Sequence, residues 1–215
     1  MAKAVVGESS SSPTKGLCVS ENRNDPKVMK YCEIIRKVLM QDQTSCAYKQ
    51  LQEILRKPIK ADSFCGNYNN TDKTAFYYNV IAKIIDTESG GNPETKGDVG
   101  KMRNGGSSHG YMQITPGDPY EDCKNITEEN VTDPELNIRC GACAALTNVN
   151  KHGVLAEDQK GVAAYFGPWR SGRKEKRDIQ KSLQEYCIAH PTGTGLDYGV
   201  SSGGTGYGSG AEALK

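Results

Sequence analysis

Apolar residues recur at helical spacing near the start of the chain. Positions 28–39 follow the i, i+3, i+4, i+7 rule after Pro26, and positions 51–55 continue the pattern as far as Pro58. Proline is tolerated at the first turn of a helix and interrupts a helix interior. The pattern therefore predicts two helices between these two prolines.

A third helix is predicted in the middle of the chain. Thr71 or Asp72 supplies an N-cap side chain, and apolar residues then recur at helical spacing up to Glu88. The segment 89–93 is rich in glycine and ends in proline, so it stops the helix. This arrangement places Glu88 at a helix C-terminus.

The second half of the chain begins with a long irregular stretch. Positions 94–132 are rich in Gly, Asp, Asn and Pro, and only positions 110–115 favour a short strand. Loops of this length inside a compact domain are usually functional. Helices are predicted to resume at Asp133, with Pro134 at the first helical position, and then at about 156–166 and 175–189. The predicted fold class is mainly α with a small β element.

Composition divides the chain into four parts. Positions 1–16 are rich in serine and positions 191–215 in glycine and serine, and neither segment has periodic apolar positions, so both are predicted to be disordered tails. Positions 71–190 form the predicted main domain. Positions 17–70, with four of the eight cysteines, are predicted to be a helical extension packed on that domain.

The overall charge gives no indication of a charged partner. The net charge is +1, whereas nucleic-acid-binding proteins usually carry a large basic excess. No apolar run approaches the roughly 18 residues that span a bilayer. We therefore expect a monomeric protein without a membrane span and without a nucleic-acid partner.

Eight cysteines in 215 residues indicate a disulfide framework of up to four bridges. The connectivity stays open, because eight cysteines allow about 105 pairings. The alternative is a metal or redox site at Cys140 and Cys143, which form a CxxC pair. Zinc would need a second ligand pair, and the three histidines are scattered singly, so we expect neither metal nor cofactor. The cysteines are Cys18, Cys32, Cys46, Cys65, Cys123, Cys140, Cys143 and Cys187.

Disulfides predict a secreted, periplasmic or otherwise extracytoplasmic protein. The first 13 residues, however, contain no apolar segment of the kind found in a cleaved secretory signal. Either the chain is a mature or recombinant form, or it reaches its target by lysis or injection.

Glu88 is the principal candidate for chemistry. Its carboxyl group lies between an apolar helix face and a glycine-rich loop, and apolar surroundings raise the pKa of a carboxyl group. A carboxylic acid that stays protonated can deliver a proton to the departing oxygen of an acetal. The alternative reading is a solvated glutamate near a helix end.

Five motifs in order resemble those of the soluble lytic transglycosylase domain, a family that shares the lysozyme fold and is also similar to goose-type lysozymes. The resemblance covers about positions 74–189. The motifs are ESGGNP at 88–93, GDVG at 97–100, SHGYMQI at 108–114, Asp133-Pro134 with Asn137, Ile138 and Gly141, and AYFGP at 164–168. The resemblance implies an α+β lysozyme-like fold with the small β element beside an active-site cleft.

The resemblance also implies roles for individual residues. Glu88 matches the family's single catalytic acid/base, and Tyr165 matches a tyrosine that hydrogen-bonds near the scissile bond. Here the chain departs from the family's AYNAGP motif, being one residue shorter and lacking the asparagine. The residues that match the family's substrate groove are Ser108, Tyr111, Met112 and Gln113, and His109 between them is a further candidate contact.

The implied reaction is non-hydrolytic cleavage of peptidoglycan between N-acetylmuramic acid and N-acetylglucosamine, giving 1,6-anhydro ends. A goose-type hydrolytic muramidase is the first alternative, with Asp98 as a candidate for positioning water; Asp98 also fits a simple turn. A cell-wall-binding module with impaired turnover is the second.

Two further features of the sequence each allow two interpretations. Trp169, the only tryptophan, could stack on a sugar or fill the core. The basic positions 170–177 are typical of a solvated helix entry, and the alternative is attraction to an anionic envelope.

Overall fold

A computed structural model describes residues 15–22, 24–97 and 107–191, and in this part of the chain five α-helices contribute to one core. The helices are α1 (Pro26–Arg36), α2 (Cys46–Leu55), α3 (Lys73–Ser89), α4 (Pro134–His152) and α5 (Lys174–Ala189). A π-helical turn, Lys37–Gln41, continues α1. Strands β1 (Ala156–Glu157) and β2 (Lys160–Gly161) form an antiparallel hairpin. Short 3-10 turns lie at Ser20–Asn22, Tyr68–Asn70, Glu121–Cys123, Val162–Ala164 and Gly167–Trp169.

Helix α3 lies in the centre of the molecule. Eleven consecutive residues, 75–85, are buried, and the two polar ones among them, Asn79 and Lys83, are hydrogen-bonded. The side chain of Asp72 accepts a hydrogen bond from the backbone N–H of Ala75, so Asp72 rather than Thr71 is the N-cap. Gly90 ends the helix in the left-handed conformation. The predicted position of Glu88, in the last turn of a buried helix, is confirmed.

Helices α1 and α2 pack on the helices that follow them in the chain. Helix α1 contacts α3 and α4, and α2 contacts α4. The predicted tails lie outside the described residues except at positions 15, 16 and 191. There the carbonyl of Gly16 accepts a hydrogen bond from the hydroxyl of Tyr31, and Pro191 forms a β-bridge with Thr71. None of the helices in the described part of the chain has the length and apolar character that a bilayer crossing requires.

All eight cysteines are paired, which confirms the predicted disulfide framework. The bridges are Cys18–Cys32, Cys46–Cys143, Cys65–Cys187 and Cys123–Cys140. The CxxC pair is divided between two bridges, because Cys140 and Cys143 lie one helical turn apart and face different segments. Asp122 lies close to Cys46 and Cys143, but their sulfur atoms are bonded to each other and offer no thiolate to a metal.

Two predicted elements are wrong. The predicted strand at 110–115 is a tight turn with an isolated bridge between His109 and Ile114. The predicted helix at 156–166 is the β1–β2 hairpin followed by a 3-10 turn. Gly161 explains the second error: its φ is +61°, and an added Cβ would lie 2.2 Å from the carbonyl oxygen of Leu155. The chain reverses just before Gly161, in a turn at Asp158 and Gln159 where Asp158 also has a positive φ, whereas the apolar spacing alone is compatible with a helix.

Candidate active site

Glu88 lies on the last turn of α3, two residues before the terminating Gly90. The side chain is partly buried, and its Oε1 atom is buried without a hydrogen-bond partner among the described residues. The neighbouring hydroxyls of Thr87 and Ser89 instead donate to carbonyl groups of the same helix. A buried polar atom without a partner is costly in a folded protein and is often retained for function.

Burial raises the pKa of Glu88 from 4.5 to about 7, because a charged carboxylate loses hydration there. The guanidinium of Arg170 acts in the opposite direction and favours the ionised form. A pKa near neutrality allows the same group to donate a proton and then to accept one. Glu88 therefore has the ionisation behaviour of a general acid/base.

The raised pKa predicts a specific dependence of stability on pH. Between pH 4.5 and about 7 the folded carboxyl stays protonated while the unfolded one ionises, so rising pH favours unfolding. Relative to Glu88→Gln, the native protein should lose about 2–3 kcal/mol of unfolding free energy across this window. Urea titrations of both proteins from pH 4 to pH 8 measure the difference. If the difference in unfolding free energy between the two proteins stays constant from pH 4 to pH 8, the raised pKa of Glu88 is contradicted.

Gln113 holds together the loop that follows Glu88 in the chain. Its Nε2 donates to the carbonyl oxygens of Thr95 and Gly110 at 3.0 and 2.9 Å, and its Oε1 accepts from the Ser108 hydroxyl at 3.0 Å. The Thr95 hydroxyl reaches the carbonyl of Ser89, at the end of α3, at 3.4 Å. The loop is thus connected to the helix turn that carries Glu88. Both Gln113 and Ser108 are buried, and their predicted contact with substrate stays a prediction.

Asn137 of α4 supports the same loop from the core. Its Oδ1 accepts from the backbone N–H of Met112 at 2.8 Å, and its Nδ2 donates to the carbonyls of His109 and Val131 at 2.8 Å each. A Cβ on Gly110 would lie 2.4 Å from the Asn137 amide nitrogen, so this close approach requires glycine. The asparagine therefore determines the path of the backbone beside the site.

Two of the predicted groove residues point into the core. Tyr111 is 1% exposed and packs edge-on against Tyr31, with ring centroids 6.0 Å apart. Met112 is 0% exposed and packs on Gly141 of α4. Such side chains have no surface for a sugar in this conformation, so the structure does not support a direct contact. The tight turn directs both side chains inward, which the sequence order alone does not reveal.

His109 is also buried, at 8% exposure. Its Nε2 lies 2.8 Å from the Ser107 hydroxyl and 3.4 Å from an oxygen of Glu128. Its backbone pairs with Ile114 in both directions. These contacts fit a residue that organises the loop, and its predicted contact with substrate stays a prediction.

Tyr165 lies on the chain between the hairpin and α5 and is partly buried. Its hydroxyl donates to Oδ2 of Asp118, and the same oxygen accepts from the backbone N–H of Thr115 at 3.2 Å. The ring packs edge-on against Tyr120 at 5.7 Å. Burial raises the pKa of Asp118, although both hydrogen bonds oppose the change. Asp118 is not among the residues predicted from the sequence, and its only local signal is a turn-type Pro-Gly-Asp-Pro context.

Trp169 and Arg170 follow Tyr165 and differ in exposure. Trp169 is 0% exposed and stacks on Phe64 at 5.7 Å, which fits the core-filling interpretation and leaves no face for a sugar. Arg170 is exposed, and its Nε donates to the carbonyl of Ala163 at 3.3 Å. Arg170 belongs to the basic positions 170–177, and its electrostatic effect on Glu88 depends on tertiary structure. Asp98, the candidate water-positioning residue, lies outside the described residues.

Comparison with solved structures identifies the fold. Solved structures of Bd0314 DslA have the same fold: wild-type form 2 aligns with a TM-score of 0.59 at 20% identity, covering 74% of this chain and 91% of that chain. A glutamate-to-glutamine mutant of Bd0314 DslA aligns with a TM-score of 0.61 at 19% identity, covering 80% and 95%. A search of curated proteins found no match. The predicted fold class, a mainly helical and disulfide-stabilised lysozyme-like fold with a small β element, is confirmed.

The family model of the transglycosylase SLT domain matches residues 67–186, from just before α3 to the last turn of α5. This range contains Glu88, the loop held by Gln113, and Tyr165. Because the match covers more than half of the chain, the protein belongs to the transglycosylase SLT domain family, a lytic transglycosylase-type family that acts on peptidoglycan.

Proposed function

We propose that the protein is a peptidoglycan lytic transglycosylase that cleaves the β-1,4 bond between N-acetylmuramic acid and N-acetylglucosamine, with Glu88 as its only acid/base. The observation that carries the proposal is the buried Oε1 of Glu88, which has no hydrogen-bond partner in the described part of the chain and belongs to a carboxyl group whose pKa is raised to about 7. Such a group is protonated often enough at neutral pH to act as an acid, and it can also act as a base.

In the first step the Glu88 carboxyl donates its proton to the glycosidic oxygen as the bond from that oxygen to C1 breaks. The carbonyl oxygen of the sugar's own N-acetyl group bonds to C1 and takes the place of an enzymic nucleophile. Ordinary glycosidases use two carboxylates about 5–5.5 Å or about 6.5–9.5 Å apart, whereas substrate-assisted enzymes require one. Arg170 favours the carboxylate that this step leaves on Glu88.

In the second step the Glu88 carboxylate accepts the proton of the C6 hydroxyl. The C6 oxygen then bonds to C1 and displaces the N-acetyl oxygen. Glu88 ends protonated, the product carries a 1,6-anhydro end, and no water is consumed. Every step uses Glu88 and groups of the substrate itself.

The proposed place of action is outside the cytoplasm, where peptidoglycan lies. The four disulfides support this, because such bridges persist in oxidising compartments. We propose that the protein acts there as a monomer.

Mass analysis of fragments released from purified sacculi tests the reaction. We expect fragments with 1,6-anhydro ends, which are lighter by one water, about 18 Da, than hydrolysed fragments. Fragments with hydrolysed ends would contradict this proposal and show that the protein is a hydrolytic muramidase. Sedimentation of the protein with sacculi without any released fragment would replace it with a wall-binding module.

A further inference from the structure

The side chain of Tyr31, on α1, lies where two loops next to Glu88 meet. Its ring packs edge-on against Tyr111 of the loop 108–114, with ring centroids 6.0 Å apart. The same ring lies against Gly91, because a Cβ added to Gly91 would be 3.2 Å from Cε1 of Tyr31. Gly91 is three residues after Glu88 in the chain. One buried ring therefore contacts both the loop that follows Glu88 and the loop that is connected to the end of α3.

Tyr31 is itself held in one orientation. It is 1% exposed, and its hydroxyl donates to the carbonyl of Gly16 at 2.8 Å. Burial and the nearby charge of Asp86 raise the pKa of Tyr31, so the hydroxyl keeps the proton that this hydrogen bond requires. The segment that carries the acceptor is fixed on α3, because Nζ of Lys83 donates to the carbonyl of Lys15 at 3.1 Å. The ring is thus a rigid support.

The backbone after Glu88 specifies its own path weakly. Gly90 and Gly91 are both in the left-handed region, with φ of +60° and +73°. Glycine has the widest range of backbone conformations, so two consecutive glycines can take many paths. A Cβ on Gly90 would meet no described atom within 4 Å, whereas Gly91 is buried against Tyr31. The Tyr31 ring therefore restricts the chain at Gly91.

We propose that Tyr31 is a positioning residue that holds the last turn of α3, and with it Glu88, in the orientation required for proton transfer. The inference rests on the proposed function, because it takes Glu88 to be the group that transfers the proton. A displacement of about 1 Å at a reacting group can lower a rate by about 10²-fold. Tyr31 lies outside residues 67–186, which match the family model. The segment before the matched domain thus contributes to the site.

Tyr31→Leu tests the role of the ring. We expect kcat on soluble, uncrosslinked peptidoglycan strands to fall about tenfold and KM to change by less than about threefold, because the acid moves while the sugar contacts remain. Tyr31→Phe keeps the ring and loses only the hydrogen bond to Gly16, so its kcat should stay within about threefold of the native value. A native kcat in Tyr31→Leu would overturn the inference. So would a loss in Tyr31→Phe as large as that in Tyr31→Leu.

Tyr68→Leu is the matched control for the loss of a buried tyrosine. Tyr68 is 3% exposed, its hydroxyl is hydrogen-bonded to that of Tyr77 at 3.0 Å, and its ring packs edge-on against Phe76. Phe76 is near the start of α3, about 18 Å from Glu88 along the helix axis. Tyr68→Leu should lower the free energy of unfolding but leave kcat of the folded protein within about twofold. Equal losses of kcat in both leucine variants would show a general effect of destabilisation and reject the role of Tyr31.

Two glycine variants test the same contact without removal of a side chain. Gly90→Ala and Gly91→Ala carry similar backbone strain, because φ is positive at both positions. Only the methyl group added at position 91 presses on the Tyr31 ring. We expect kcat of Gly91→Ala to be at least about threefold below that of Gly90→Ala. The same kcat in both variants would reject the role of Tyr31, and this test holds even if Tyr31→Leu does not fold.

The ionisation of Glu88 provides a readout that does not require turnover. In Tyr31→Leu the displaced turn admits water, so the pKa of Glu88 should fall from about 7 towards 4.5. In Tyr68→Leu it should stay at about 7. NMR titration of ¹³C-labelled carboxyl groups measures both, with the Glu88 signal assigned by its absence in Glu88→Gln. An unchanged titration of Glu88 in folded Tyr31→Leu would contradict the inference.

The outcome is separable from that of the proposed function. Hydrolysed ends on sacculi, together with the expected changes in kcat and in the Glu88 titration, would reject the non-hydrolytic route and keep the role of Tyr31. Anhydro ends together with a native kcat in Tyr31→Leu would keep the reaction and reject the role of Tyr31.

Discussion

Replacement of Glu88 by glutamine should lower the rate of fragment release from sacculi by about 10²–10⁴-fold, the contribution typical of a general acid/base. Glutamine has nearly the same size and shape, but its amide neither donates an acidic proton nor accepts one from the C6 hydroxyl. The side chain should still fit the partly buried position at the end of α3. The rate is measured by the release of soluble muropeptides, and retained binding is measured by sedimentation with sacculi.

Glu94→Gln is the control for this result. Glu94 lies six residues further along the same segment and is exposed, so the loss of its charge should leave the rate within about twofold of that of the native protein. Full activity of Glu88→Gln would exclude the mechanism. A loss of soluble, folded protein in Glu88→Gln would instead show that the residue maintains the fold.

Replacement of Asn137 by alanine should lower the free energy of unfolding by about 3–5 kcal/mol. Asn137 is 0% exposed, and its removal leaves the N–H of Met112 and the carbonyl of Val131 without a partner among the described residues, whereas the carbonyl of His109 keeps the hydrogen bond from the N–H of Ile114. Urea unfolding with the disulfides intact measures the loss. The loop that connects to the end of α3 should also lose its position, so activity should fall under conditions in which the variant is folded.

Two variants separate hydrogen bonding from side-chain volume. Asn137→Asp keeps the volume but directs a carboxylate oxygen at the carbonyls of His109 and Val131, so it should also be strongly destabilised at neutral pH. Asn150→Ala removes a partly exposed amide from the same helix, whose hydrogen bonds with Gln50, Glu53 and Lys57 lie near the surface where water can replace them, so it should cost under about 1 kcal/mol. Similar losses in Asn137→Ala and Asn150→Ala would contradict the role assigned to the buried amide.

Residue patterns that are local in the sequence were sufficient to predict most of the helices. Asp72, Asp133 and Pro134 mark helix starts by capping chemistry, which needs only neighbouring residues. The hairpin at 156–161 was missed because its apolar residues have a spacing compatible with a helix. The decisive feature there, the close approach of the Gly161 backbone to the carbonyl of Leu155, is not visible in the hydrophobic pattern.

The sequence by itself determined the class of fold, the presence of a disulfide framework and the position of Glu88 at the end of an apolar helix, because these depend on neighbours along the chain. Tertiary structure alone decided the four cysteine pairs, the inward direction of Tyr111 and Met112 and the pairing of Asp118 with Tyr165. Tertiary structure also decided how far the pKa of Glu88 rises, because burial and the charge of Arg170 depend on segments distant in sequence. These features depend on which surfaces lose water and which groups come into contact when the chain folds.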